Sequence, residues 1–129
     1  MRRYRYPSVD NAKEANKEAV ENFRATKAER FEVLSESRIK RAINQCKKRS
    51  GTSEEKAACL LKSFSRQHPF GSANRRTGYL LMNQFLFKNE GYSFAKKKKT
   101  TSPLFKELRR RNVKEKEIIA WLKNKDGLS

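Results

Sequence analysis

Apolar residues along this chain fall into stripes spaced three and four apart and separated by charge, the pattern of amphipathic helices that bury one face. From about Asp10 to Ser35 there is neither proline nor glycine, and Ala15, Ala19, Val20, Phe23, Ala28 and Phe31 recur at roughly helical spacing. One or two helices with a weak, alanine-rich face are predicted there. Ile39, Ala42 and Ile43 predict a helix over Ser37 to Cys46, ended by the basic loop Lys47-Lys48-Arg49-Ser50-Gly51. Thr52-Ser53-Glu54-Glu55 has the S/T-x-x-E form of a capping box ahead of Ala57, Ala58, Leu60, Leu61 and Phe64, so a helix starts here and ends near Gln67. The stretch from about Ala73 to Asn89, with Leu80, Leu81, Phe85 and Leu86, is the central helix, and Gly91 suits its C′ position. Ser102-Pro103 opens a short helix, and Asn112-Val113-Lys114-Glu115 repeats the capping pattern before Ile118, Ile119 and Leu122. There is no internal repeat, and the one extended candidate is Tyr92 to Phe94. The fold class is therefore all-α, with about six or seven helices and at most a short extended flap, in one structural domain made of an N-terminal helical arm (residues 1–34) and a main body (residues 35–129).

Composition narrows this little. A chain of 129 residues holds one core, and with 36% apolar and 36% charged residues that core is built from narrow stripes. Lys and Arg number 32 against 14 acidic residues, and the formal charge of +18 attracts phosphate-bearing partners without saying which. Lys96 to Lys99 and Arg109-Arg110-Arg111 read first as solvated basic surface, with nucleic-acid docking as their other use. Cys46 and Cys59 lack zinc or redox spacing and are read as structural thiols. The basic N-terminus, Met1-Arg2-Arg3-Tyr4-Arg5-Tyr6-Pro7, has no apolar run behind it, and no window has membrane-spanning length, so a soluble cytoplasmic protein is expected, with no membrane partner.

The candidate chemistry lies between the two best-marked helices. That loop delivers the only histidine, His68, then the small-residue turn Gly71-Ser72-Ala73, then Asn74, Arg75 and Arg76 in the first turn of the central helix. Free N–H groups at a helix start bind anions, and two arginines add forked donors matched to phosphate oxygens. Cations at that end oppose the helix dipole, a conflict that an anionic ligand resolves. A base beside a phosphate cradle is the layout of nucleotidyl or phosphoryl transfer. By spacing alone, a helix-end histidine, a serine N-cap and solvent-facing arginines fit equally well.

The segment His68-Pro69-Phe70-Gly71-Ser72-Ala73-Asn74-Arg75-Arg76 resembles the Fic/Doc (Fido) signature H-x-F-x-[DE]-[GA]-N-[GK]-R, matching at His68, Phe70, Ala73, Asn74 and Arg76, with Arg75 standing in for a lysine. Glu55 to Leu61, Phe85 to Tyr92 and Glu117 to Leu122 resemble flanking helices of that family, so the likeness runs from about Ser35 onward and leaves the N-terminal arm outside. The resemblance implies that His68 is the catalytic base for a hydroxyl of a target protein and that Phe70 holds the loop. It further implies that Asn74 and the backbone N–H groups of Ser72 to Arg75, Ala73 among them, form the anion hole, and that Arg76 holds nucleotide phosphate, with Arg75 contacting phosphate rather than base. ATP or another nucleoside triphosphate is the implied co-substrate, with Mg²⁺ as the implied ion.

This chain departs from the signature at two places. Ser72 stands where the family carries Asp or Glu for Mg²⁺, and a neutral hydroxyl is a weaker ligand for a hard cation. Tyr79 stands where adenylylating Fic enzymes have a second arginine. With Ala73 and Arg75, the missing arginine favours the Doc type, which transfers a terminal phosphate rather than AMP and for which a translation factor is the known kind of target. The family's inhibitory pattern, [ST]-x-x-x-E-[GN], has no complete copy: Ser50 and Glu54 fit, but Glu55 follows. A separate antitoxin is the corollary. The competing expectation is a catalytically weakened Fido-fold protein that holds nucleic acid or ribosomes on its basic surface.

Overall fold

Five helices form the body of the computed structural model, which describes residues 3–22, 29–91, 104, 106–108, 110 and 113–123: α1 (Val9–Asn22), α2 (Glu36–Lys48), α3 (Ser53–Gln67), α4 (Asn74–Glu90) and α5 (Glu115–Lys123). Residues 104, 106–108 and 110 are also helical. No strand occurs among the described residues, whose one β-bridge joins Val33 to Phe70. The protein is all-α, as its periodicity predicts.

The antiparallel neighbours α3 and α4 form the centre, with α2 and α5 packed on α3 and α1 packed on α4. Leu60, Leu61 and Phe64 of α3 and Leu81, Met82, Phe85 and Leu86 of α4 are buried in one cluster with Ile39 of α2 and Ile118 and Trp121 of α5. Gly78 sets the spacing of the central pair. A Cβ there would lie 3.0 Å from the Leu61 carbonyl oxygen and 3.1 Å from Leu61 Cα, both backbone atoms that cannot swing aside.

The start of α3 follows its sequence signal. Thr52 Oγ1 accepts from Glu55 N at 3.1 Å, and a Glu55 carboxylate oxygen accepts from Thr52 N at 2.9 Å. These bonds from Thr52 hold the Glu55 carboxyl below its ordinary range. Other boundaries moved. α2 is capped by Ser35 and continues through Lys47 and Lys48, which were expected to begin a loop. Cations in a last turn complement the negative end of the helix dipole, so a basic run ending at glycine extends a helix as readily as it breaks one.

The N-terminal region is less helical and more integral than its pattern implied. Ala12, Ala15, Ala19 and Val20 are buried, so the alanine-rich face packs closely instead of fraying. Ahead of α1, Asn89 clamps the Arg5 backbone with bonds of 2.8 and 3.0 Å, and Tyr4 and Tyr6 lie on Phe85. After α1, residues 29–34 are irregular rather than helical, with a single β-bridge at Val33. Tertiary pairing overrides periodicity there: Leu34 N donates to the Pro69 carbonyl at 2.9 Å, and the Glu32 carbonyl accepts from Gly71 N at 2.8 Å.

The cysteines meet although their sequence surroundings differ. Cys46 Sγ donates to Cys59 Sγ at 2.8 Å across the α2–α3 contact. Accepting that bond pulls the Cys59 thiol down to about 7, while donating it, together with burial, pushes Cys46 up. The expectations for Tyr92 to Phe94, Lys96 to Lys99, Ser102-Pro103 and Asn112 fall outside the described residues. No helix among the described residues is long and apolar enough to cross a membrane.

Candidate functional site

The loop joining α3 to α4 is built by two backbone reversals and one side chain. His68 ends α3 in the left-handed region at φ 47°, and Ala73 precedes α4 in the same region at φ 61°, with no side-chain cap on α4. The serine N-cap is therefore absent. Asn74, the first residue of α4, reaches back over the loop: its Oδ1 accepts from Phe70 N, and its Nδ2 donates to the Phe70 carbonyl, each at 3.0 Å. Both bonds fix the amide's orientation. Phe70 itself is buried and stacks on Phe64, with ring centroids 6.5 Å apart and planes 14° from parallel. The side chain that the resemblance assigned to an anion hole is thus engaged in holding the loop's shape.

That shape leaves donors free. Among the described residues, the backbone N–H groups of Ser72, Ala73 and Asn74 make no hydrogen bond. A left-handed residue followed by a right-handed one turns successive N–H groups to the same side, which makes a concave nest for an anion, here at the positive end of a 17-residue helix. His68 is exposed beside this nest, with Nδ1 3.4 Å from Asn74 Nδ2. Because the amide is fixed, Asn74 is the donor in this long contact, and the neutral ring carries its hydrogen on Nε2. Arg75 is half-buried alongside.

Arg76 carries the feature that sequence reasoning missed. Its guanidinium NH2 donates to both carboxylate oxygens of Glu29, at 2.8 and 2.7 Å, and neither partner is more than 21% exposed. Glu29 belongs to the irregular segment 29–34, 47 residues away in sequence. No local signal marks it, since no motif surrounds it and it acquires its role through the pairing of residues 32–35 with 69–71. The same segment meets Ser72, whose hydroxyl donates to the Arg30 carbonyl at 3.2 Å.

These donors do not make a Mg²⁺ site. A hard dication needs several oxygen ligands, usually with carboxylates among them. Here Ser72 gives its hydrogen to a carbonyl and the Glu29 carboxylate lies on Arg76. Among the described residues, no three His, Cys, Asp or Glu side chains are placed to hold a metal. Tyr79 is also accounted for: it is buried edge-on to Trp121, with centroids 5.9 Å apart. It belongs to the core and not to the nest.

Fold and loop together define an all-α domain that presents a histidine beside unbonded backbone N–H groups at the start of its central helix. Comparison with known protein families matches residues 4–86 to the Fic/DOC family, and the chain belongs to that family. The match takes in α1 and the irregular segment 29–34, whereas the resemblance in the motif alone had left the N-terminal arm outside. No curated protein and no solved structure matches the chain.

Proposed function

We propose that this protein binds a nucleoside triphosphate such as ATP at the nest and moves its terminal phosphate to a hydroxyl of a protein, as a Doc-type toxin does. The observation that carries this reading is the set of unbonded N–H groups at Ser72, Ala73 and Asn74 beside exposed His68, in a member of the Fic/DOC family. Phosphate oxygens accept from those N–H groups and from Arg76, with Arg75 at the rim. The target hydroxyl loses its proton to His68 at Nδ1, which costs only the long contact with Asn74. Its oxygen bonds to the γ-phosphorus as the bond to the bridging oxygen breaks, the nucleoside diphosphate departs with the electron pair, and His68 returns its proton to solvent.

Phosphate rather than AMP transfer is supported by Tyr79, which fills core space where a second phosphate-binding arginine would be needed. The likeness to Doc makes a translation factor the candidate target and a separate antitoxin the candidate regulator. Glu29 adds a condition within the chain: its carboxylate presents to Arg76 the same two-oxygen fork as a phosphate, so nucleotide and Glu29 compete for one guanidinium.

The experiment is a lysate incubated with the full chain, Mg²⁺ and ATP labelled at the γ or the α phosphate. Protein-bound label from γ only, lost with His68→Ala, is expected. Label from α instead means adenylylation, and absence of His68-dependent label from either position contradicts transfer. A second reading, polyanion binding, rests on the exposed face of α2, where Arg38, Lys40, Arg41, Lys47 and Lys48 have no side-chain partner among the described residues. It requires RNA or DNA affinity that falls steeply with added salt.

A further inference from the structure

The nest's N–H groups point outward because something holds the opposite ends of their peptide units inward. In a trans peptide, the carbonyl of one residue and the N–H of the next point in opposite directions. No cis peptide occurs among the described residues, so fixing the Ser72 carbonyl aims the Ala73 N–H, and fixing the Ala73 carbonyl aims the Asn74 N–H. Both carbonyls are held. Ser72 O accepts from Asn16 Nδ2 at 2.9 Å, and Ala73 O accepts from Thr77 N at 2.9 Å and from Thr77 Oγ1 at 2.7 Å.

Asn16 and Thr77 are also joined to each other. Asn16 Nδ2 donates to Thr77 Oγ1 at 3.0 Å, so a single relay runs from the α1 amide through the α4 hydroxyl to the Ala73 carbonyl. Both residues are completely buried. The direction of the relay is fixed: Ser72 O can only accept, and Thr77 commits its hydrogen to Ala73 O, which leaves the Asn16 amide nitrogen as the only group able to serve both. One cost follows, since Asn16 Oδ1 is buried with no hydrogen-bond partner. A native interior pairs nearly all its buried polar atoms, and an exception asks for a reason beyond packing. An alanine would fill this position beside Ala12, Ala15 and Ala19 without burying an unpaired amide oxygen, but it would leave the Ser72 carbonyl without its donor.

We infer that Asn16 and Thr77 are positioning residues of the phosphate nest: they hold the Ser72 and Ala73 carbonyls inward and so present the Ala73 and Asn74 N–H groups to the anion. This rests on the nucleotide reading above and goes beyond it, because α1 becomes part of the binding apparatus. The arrangement is preorganised, since the donors are aimed before the ligand arrives.

The test is calorimetric titration of the full chain with ATP and, separately, with inorganic tripolyphosphate, which offers phosphates without a base. Thr77→Val keeps the shape and removes the relay; Thr77→Ser keeps the hydroxyl. Thr77→Val should weaken tripolyphosphate binding by about tenfold, the order of effect of one misaimed donor, while Thr77→Ser binds as the unchanged chain does. Asn16→Ala should weaken it likewise. Ile43→Val, a core change on α2 away from the loop, controls for general loosening and should leave affinity unchanged. In the unchanged chain, tripolyphosphate should shift the amide proton resonances of Ala73 and Asn74 most, a readout that needs no variant to fold. Thr77→Val affinity equal to that of the unchanged chain overturns the inference alone, whereas the largest shifts elsewhere put the anion off the nest and overturn both readings. No binding of either probe by the unchanged chain overturns the nucleotide reading and this inference with it.

Discussion

The loop from His68 to Arg76 and the N-terminal region from Arg3 to Ser35 build one site in opposite ways. The loop's residues are neighbours in sequence, and its parts lie within two turns of helix and the bend between them. The N-terminal region contributes by reaching across: Glu29 takes Arg76, Arg30 takes the Ser72 hydroxyl, and Asn16 takes the Ser72 carbonyl. The contrast shows that a short motif can specify which groups meet a ligand while the state of those groups is decided elsewhere. An arginine ready for phosphate and an arginine already holding a carboxylate have the same local sequence.

The comparison can be broken most sharply on the loop side. His68→Ala should reduce phosphate transfer by about 10²–10⁴-fold, the range for losing a general base, with thermal stability unchanged because the ring is exposed. Loss of stability in step with activity would mean that His68 serves the fold. On the N-terminal side, Glu29→Gln keeps the size and removes the charge, so the ion pair with Arg76 is lost at little cost to packing. ATP affinity should then rise by about tenfold, the scale of one hydrogen bond to a charged group. An unchanged affinity in calorimetry would show that Glu29 and nucleotide do not compete. The smallest effect belongs to a region that serves neither: Thr52→Ala removes half the capping box of α3 and should cost about 1 kcal/mol of stability by thermal denaturation, with ATP affinity unaltered.

What was legible in the sequence follows the same division. The capping box at Thr52 and Glu55, the apolar stripe of α4 and its end at Gly91 are signals within a few residues, and all appear where expected. The all-α class followed from them. Residues 29–34 carried helical spacing and are not helical, because their backbone pairs with Pro69 and Gly71, which no window of local sequence contains. The weak alanine face of α1 could not be judged until its neighbour was known: small side chains are a poor core alone and a good one against a closely approaching helix. His68, Phe70, Asn74 and Arg76 announced themselves as a group, yet Asn74 proved to hold the loop through Phe70, and Glu29, Asn16 and Thr77 gave no local signal at all. Buried polar partners of a motif are found by asking what satisfies its backbone, a question only the fold answers.

The most direct test of a phosphate nest at the start of α4 is calorimetric titration of ATP into the full chain and into Arg76→Ala. The account predicts saturable binding by the unchanged chain, weakened by added salt and lost in the variant. Absence of binding by the unchanged chain, or binding that Arg76→Ala leaves intact, would contradict it.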